Sequence, residues 1–301
     1  MQEISFPADG PDAGDDGFEE HRPRLRAVAY RILGSLSDAD DAVQETWLRF
    51  DRTDTAAVEN LGAWLTTVAG RVCLNMLRSR DTRREEPIES YDSGTAARGD
   101  HVTDPEEEAL LADSVGLALL VVLDTLTPPE RLAFVLHDMF AVPFEEIALL
   151  IEKSPATTRQ LASRARRRVK GGSPVPAPDL ALQRQVVDAF LAATRGGDFD
   201  ALVALLHSDV VLRADRSVIP TPEPVLVSGA QDVARGAMAA TGRAQFTGAV
   251  LVDGAVGLAM APQGRLRVVL AFTLVDGAIT EIDVIADPER LARLELGVPA
   301  A

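Results

Sequence analysis

Apolar residues at Leu25, Val28, Ala29, Ile32, Leu33 and Leu36 step three and four apart, which predicts a helix from about Arg24 with one buried stripe. A second helix is expected from Ser37, a good N-cap. Asp38, Asp40 and Asp41 suit the positive end of its dipole, and Val43, Trp47 and Phe50 are spaced by helical turns. A third, over about 61–79, buries Leu61, Trp64, Leu65, Val68, Val72 and Met76, while Thr67, Arg71, Asn75 and Arg78 make a polar, basic front. The pattern then lapses. Residues 81–104 are rich in Asp, Ser, Gly and Arg without an apolar period, and read as a linker.

Helical period resumes with strong start signals. Asp104 precedes Pro105, and Thr127-Pro128-Pro129-Glu130 has the form of a capping box with proline in the first turn. Four helices are predicted near 106–124, 129–139, 143–151 and 155–169. The last two are short, and Ser154 with Pro155 begins the second of them, which is the spacing of a helix-turn-helix. In that last helix Leu161, Ala162, Ala165 and Val169 form the buried side, so Arg159, Gln160, Ser163, Arg164 and Arg167 face outward. Gly171 to Pro178 reads as a second, proline-stiffened linker. Beyond it come two helices, near 179–195 and 198–207. Strand-like runs follow at 209–214, 225–227, 245–252, 255–261, 265–275 and 278–286, with a short helix near 229–240. Asp253-Gly254 and Asp276-Gly277 are hairpin signals. The fold class expected is therefore multidomain: two all-α segments followed by an α+β domain built on an antiparallel meander.

Charge changes this picture in one place. The chain of 301 residues carries a net charge of −16, which argues against binding nucleic acid. Yet Pro155–Lys170 holds six Arg or Lys and no acid, while acids crowd into residues 1–20 and 104–114. Segregation of this kind gives a basic reading surface to a chain that otherwise repels DNA. The 47% apolar content is enough to bury a core in each segment. The absence of a long apolar run and the acidic N-terminus predict a cytoplasmic chain with no membrane segment. The single cysteine, Cys73, sits at helical spacing among apolar residues and reads as a core thiol. Disulfides, a zinc cluster and any other metal or cofactor are not expected.

Specific runs of residues resemble a known family. Asp38-Ala39-Asp40-Asp41-Ala42-Val43-Gln44-Glu45-Thr46-Trp47 looks like the polymerase-binding helix of sigma region 2, and Ala63-Trp64-Leu65-Thr66-Thr67-Val68-Ala69 resembles the start of the helix that reads the −10 element. Leu126-Thr127-Pro128-Pro129-Glu130-Arg131-Leu132-Ala133-Phe134 through Arg159-Gln160-Leu161-Ala162-Ser163-Arg164-Ala165-Arg166 resembles sigma region 4, which reads the −35 element. In this order the motifs resemble the small extracytoplasmic-function RNA polymerase sigma factors. The C-terminal third is similar to the SnoaL-like, NTF2-like cones that one subgroup carries, with Asp287-Pro288-Glu289-Arg290-Leu291 resembling its terminal motif.

The resemblance implies a promoter-directing factor whose partners are core RNA polymerase and promoter DNA. Asp38, Asp40, Asp41, Gln44, Glu45 and Trp47 would bind core polymerase. Thr67, Arg71, Asn75, Arg78 and Arg80 would meet the −10 element, and Thr157, Arg159, Gln160, Ser163, Arg164 and Arg167 the −35 element. Arg pairs with guanine edges or phosphates and Gln reads adenine, so Arg159, Gln160, Ser163 and Arg164 suit base contact and Arg167 phosphate. The domains expected are 18–84 (region 2), 85–103 (linker), 104–170 (region 4), 171–178 (linker) and 179–296 (NTF2-like).

Within that last domain His207, Arg213, Asp215 and Asp283 are the titratable groups near strands, and nothing in their spacing demands catalysis. The reading favoured is a built-in regulator without enzymatic activity. The alternative is a stand-alone helix-turn-helix regulator whose C-terminal domain senses a small molecule, and a SnoaL-like enzyme tethered to DNA is a third.

Overall fold

Glycine and serine set the first helical boundaries. In the computed structural model, which describes residues 13–54, 58–85, 116–171, 177–218 and 224–299, α1 (Ala13–Leu33) starts before the expected Arg24. It stops at Gly34, whose φ of +78° lies in the left-handed region that favours glycine. α2 (Leu36–Asp51) is capped by Ser35 rather than Ser37: Ser35 has extended backbone, and its hydroxyl accepts the Asp38 N–H. α3 spans Leu61–Glu85. Cys73 is fully buried in it, and burial pushes its thiol up to about 12.

The expected helix at 106–124 is described only from residue 116, as α4 (Leu117–Asp124). α5 (Pro128–Phe134) opens with the capping box, the Glu130 carboxylate accepting the Thr127 N–H at 3.2 Å. Its ladder then widens into a π turn, Val135–Met139, so the predicted single helix to 139 has two parts. α6 (Phe144–Ile151) ends in a left-handed Glu152. α7 (Pro155–Val169) begins at Ser154, whose hydroxyl accepts the Thr157 N–H at 3.1 Å.

The two helical segments share one core, although Phe18, Leu25, Val43, Phe50, Leu65 and Ala69 form a second cluster within the first segment alone. Val28, Ile32 and Leu33 of α1 and Leu74 and Leu77 of α3 share one cluster with Leu123, Leu132, Leu136, Ile147 and Ile151. Gly70 makes the closest approach possible: a Cβ there would lie 3.2 Å from Leu136 and 3.5 Å from Leu150.

The remaining chain forms α8 (Ala177–Gly196), α9 (Phe199–Leu205), β1 (Leu206–Ala214), β2 (Val225–Ser228), α10 (Ala230–Met238), α11 (Thr241–Ala244), β3 (Thr247–Val252), β4 (Ala255–Met260), β5 (Val268–Val275), β6 (Ala278–Ile285), α12 (Pro288–Leu291) and β7 (Leu296–Gly297). The sheet order is β2-β1-β6-β5-β4-β3-β7. β3 to β6 form the expected meander through left-handed Asp253-Gly254 and Asp276-Gly277 turns. The purely antiparallel expectation fails at one place: β6 returns beside β1 and pairs with it parallel. β7, two residues pairing with β3, has no signal in the sequence, and α12 is a single turn capped by Asp287.

One sheet face is covered by the domain's own helices. Val187, Phe190 and Leu202 pack there on Val210, Phe272, Ile279 and Ile282, with Phe190 edge-on to Phe272 at 5.4 Å. The other face is covered by α4. That helix is apolar on every side, and it buries Leu120 and Leu123 in the helical core but Val121 and Val122 against Val250, Ala259 and Val269 of the sheet. Each such fully buried valine contributes about 1.5–3 kcal/mol.

Polar contacts bind the same junction. Buried Arg131 donates to the Ile32 carbonyl at 3.1 Å and pairs with Asp124 at 3.2 Å, and the other oxygen of Asp124 accepts the Leu266 N–H at 3.1 Å. The Val298 N–H donates to the carbonyl of Val169, the last residue of α7, at 2.9 Å.

Candidate nucleic-acid interface

α7 owes its outward face to small residues behind it. Thr158, Ala162 and Ala165 are buried, which brings the helix close to α5 and leaves Gln160, Ser163, Arg164 and Arg167 exposed in one row. Not every cation of the row is free. Arg159 pairs with Glu145 of α6 at 2.6 Å and lies over the Phe144 ring at 5.6 Å. His137, from the π turn, stacks on the same Phe144 ring at 3.7 Å, its Nδ1 held 3.0 Å from the Val142 carbonyl. Arg166 pairs with Asp138 at 2.7 Å, and Arg168 reaches Glu130 at 3.7 Å. Thr157 is half-buried, and its hydroxyl lies 2.9 Å from that of Ser154, inside the cap.

α3 presents Thr67, Arg71 and Asn75 along one wall of a groove of about 840 Å³. The opposite wall is α6, with Glu146, Leu149 and Leu150, and Arg49, Arg52, Thr53, Trp64 and Val68 complete it. Arg78 is exposed farther along. Arg80 stands apart from this face, pairing with Asp38 and donating to the Leu33 carbonyl at 3.2 Å, so it joins α3 to α1 and α2.

On α2, Asp40, Asp41, Gln44 and Glu45 are exposed on contiguous turns beside half-buried Trp47. Asp40 pairs with Arg26 at 2.7 Å and Glu45 with Arg49 at 3.1 Å. Asp38, tied to Arg80, is set back from them.

Of the four titratable groups of the third domain, Arg213, Asp215 and Asp283 lie together on β1, its end and β6, Arg290 pairing with both Asp215 and Asp283, while His207 stands apart. His207 is exposed and its Nδ1 accepts the Asp209 N–H; Arg213 pairs with Glu281 across the strands at 3.5 Å; Asp283 pairs with Arg290 at 2.7 Å. Asp215 fastens the end of β6. Burial alone would raise its pKa, but N–H donors from Asp287, Ala286 and Ser217, with Arg290 nearby, hold the carboxyl below its usual range. The residues sequence reasoning missed are Asp124 and Arg131. An aspartate at the end of an apolar helix was the available signal, but its partners, Arg131 and the Leu266 N–H, lie in two different segments.

Comparison with known proteins follows the same division. Residues 18–83 match sigma-70 region 2 and residues 116–169 match sigma-70 region 4. The chain is 38% identical over 297 residues to the ECF RNA polymerase sigma factor SigJ of Mycobacterium tuberculosis, covering 91% of each chain. It is 34% identical over 285 residues to the probable ECF RNA polymerase sigma factor SigI of the same species, covering 93% of this chain and 96% of the relative. The crystal structure of SigJ matches with 35% identity over 91% of this chain and 97% of that one, at a TM-score of 0.44. The chain belongs to the ECF RNA polymerase sigma factors, which direct polymerase to promoters through regions 2 and 4. Behind these regions it carries the α+β domain built on the seven-stranded sheet. Among the described residues no helix is long and apolar enough to cross a membrane.

Proposed function

We propose that this sigma factor acts in the cytoplasm, binding core polymerase through Asp40, Asp41, Gln44, Glu45 and Trp47. Arg71, Asn75 and Thr67 meet the −10 element, Gln160, Ser163 and Arg164 read the −35 element, and Arg167 holds phosphate. The domain limits we adopt are 18–84, 104–170 and 179–296. The third domain regulates without catalysing: its interior is occupied by apolar side chains such as Phe190, Leu202 and Phe272, and Arg213, Asp215 and Asp283 are taken up in ion pairs with Glu281 and Arg290.

The observation that carries the regulatory reading is the double burial of α4 between the helical core and the sheet. Promoter elements about 25 base pairs apart are separated by ~85 Å of B-form DNA at 3.4 Å per pair. In this chain α3 and α6 touch at Gly70, so regions 2 and 4 must part before both elements are engaged. The third domain, clamped on α4 and bonded to the end of α7, favours the closed form, and polymerase favours the open one.

Gly248→Leu tests this. A Cβ at Gly248 would meet the Leu117 side chain at 2.9 Å, so a larger residue pushes the sheet off α4. The variant is expected to have a larger radius of gyration and several-fold altered output in reconstituted transcription with core polymerase. Equal compactness and equal output, in a variant that remains folded, would reject the regulatory role.

A further inference from the structure

The groove between α3 and α6 holds a contradiction in its chemistry. Its apolar lining is Trp64, Val68, Leu150 and Leu149, which at 75% exposure is the most exposed large apolar side chain among the described residues. Its rim carries Arg49, Arg52 and Arg71 against the single acid Glu146. Among the described residues neither Arg52 nor Arg71 has an ion-pair partner. An exposed leucine ringed by cations fits an acidic peptide with apolar anchors.

We infer that the groove is a docking site for the chain's own N-terminal segment, Met1–Asp12, which lies outside the described residues. The segment has the matching composition: Glu3, Asp9 and Asp12 with no Lys or Arg, and Ile4 and Phe6 as anchors. Pro7 and Pro11 oppose a helix, and in an extended peptide Ile4 and Phe6 fall on the same side, two residues apart. It also starts in the right place. Phe18 of α1 lies 5.6 Å from Phe50, which lies 6.5 Å from Trp64 in the groove wall, and Arg49 and Arg52 flank Phe50. Twelve residues reach at most ~40 Å, ample for a groove that begins at the next helix. In this arrangement Asp12 and Asp9 meet Arg49 and Arg52, Ile4 and Phe6 cover Leu149, and Glu3 meets Arg71.

The acidic stretch 104–114 is a poorer occupant on position. It joins the described residues at Gly116, which lines a second cavity with Tyr30 near the far end of α1. Phe18 and Tyr30 are ~18 Å apart along that helix at 1.5 Å per residue.

Docking stands on the groove itself. Its consequence, that the segment competes with promoter DNA for Thr67, Arg71 and Asn75, rests on the reading of α3 given above. The test uses the chain lacking residues 2–12 with Trp47→Phe, which leaves Trp64 as the only one of two tryptophans and places it in the groove wall. Adding a synthetic peptide of residues 1–12 should shift Trp64 emission saturably, several-fold less tightly at 0.5 M than at 0.05 M salt because exposed ion pairs are screened. Arg52→Glu and Leu149→Ser should each weaken the peptide about ten-fold, and the full-length Trp47→Phe chain should bind it far more weakly because its own segment occupies the groove.

No shift, equal binding to the two variants, or equal binding to the full-length chain would overturn the docking. A shift in the shortened chain on raising its own concentration, with none from the peptide, would give the groove to a second copy instead. Should the peptide bind as expected while a single-stranded −10 oligonucleotide fails to displace it, the docking stands and the −10 reading of this face falls.

Discussion

α3 and α7 are built on the same plan, an apolar back and a cationic front, yet the fold leaves them in opposite situations. The front of α7 is open: Gln160, Ser163, Arg164 and Arg167 face solvent. The front of α3 is one wall of a groove whose other wall is α6, with Glu146 and Leu149 across from Arg71 and Asn75. The difference comes from what each helix backs onto. Small residues seat α7 within its own helix-turn-helix, whereas Gly70 lets α3 lie directly on Leu136 and Leu150 of the other segment. A reading face is thus not a property of its helix alone, and the closed chain offers one face to DNA more freely than the other.

The strongest way to break this asymmetry is at the junction that enforces it. Asp124→Ala leaves Arg131 buried without its carboxylate and frees the Leu266 N–H. Loss of one partner of a buried pair costs about 3–5 kcal/mol, so the thermal midpoint should fall sharply and the chain should expand in small-angle scattering. An unchanged midpoint would remove the pair from the account. Arg164→Ala and Arg167→Ala act on the open face alone. Arg164→Ala should weaken −35 engagement by ~1–3 kcal/mol with a change in base preference, and Arg167→Ala should weaken it alike for all sequences, both read as lower output in transcription with core polymerase.

A comparable effect is expected at Asp215, which fastens the far side of the third domain. Asp215→Asn leaves N–H groups of Ala286 and Asp287 poorly matched and should cost about 1–3 kcal/mol in urea unfolding. The folded carboxyl lies below its usual value of 3.8. Its contribution is therefore full above that value and is lost as pH falls through the folded one, so the wild-type stability should drop more steeply than the variant's below about pH 4. The smallest effect belongs to Arg159. Its exposed pair with Glu145 is worth about 0–1 kcal/mol to stability, and a DNA contact must first release it. Arg159→Ala should weaken promoter binding less than Arg164→Ala in the same titration; an equal or larger loss would show that Arg159 leaves Glu145 for DNA.

Period and capping made much of this fold legible. The box at Thr127, the cap at Ser154 and the Asp-Gly turns are local, and each appears where the sequence puts it. The outward rows of α3 and α7 follow from helical spacing in the same way. What was not legible depends on distant partners. Nothing local tells that Arg80 turns to Asp38 while Arg71 does not, or that Arg159 is held by Glu145. The parallel β1–β6 pair is invisible for the same reason, since a strand's own pattern does not specify which neighbour it meets. α4 reads as an ordinary buried helix, and that it serves two cores at once required the sheet to be in view.

That double service has a consequence for how the chain is made. Synthesis is vectorial, and α4 leaves the ribosome well before the strands that cover Val121 and Val122: Val250, Ala259 and Val269 come later, and Leu296 of the same cluster last. At roughly 5–20 residues per second the nascent chain carries this uncovered apolar strip for about 10–35 s. Once Val169 has emerged, regions 2 and 4 are complete in sequence yet lack the surface that shields them. The period of greatest exposure to aggregation and to chaperone capture is thus written into the order of the segments.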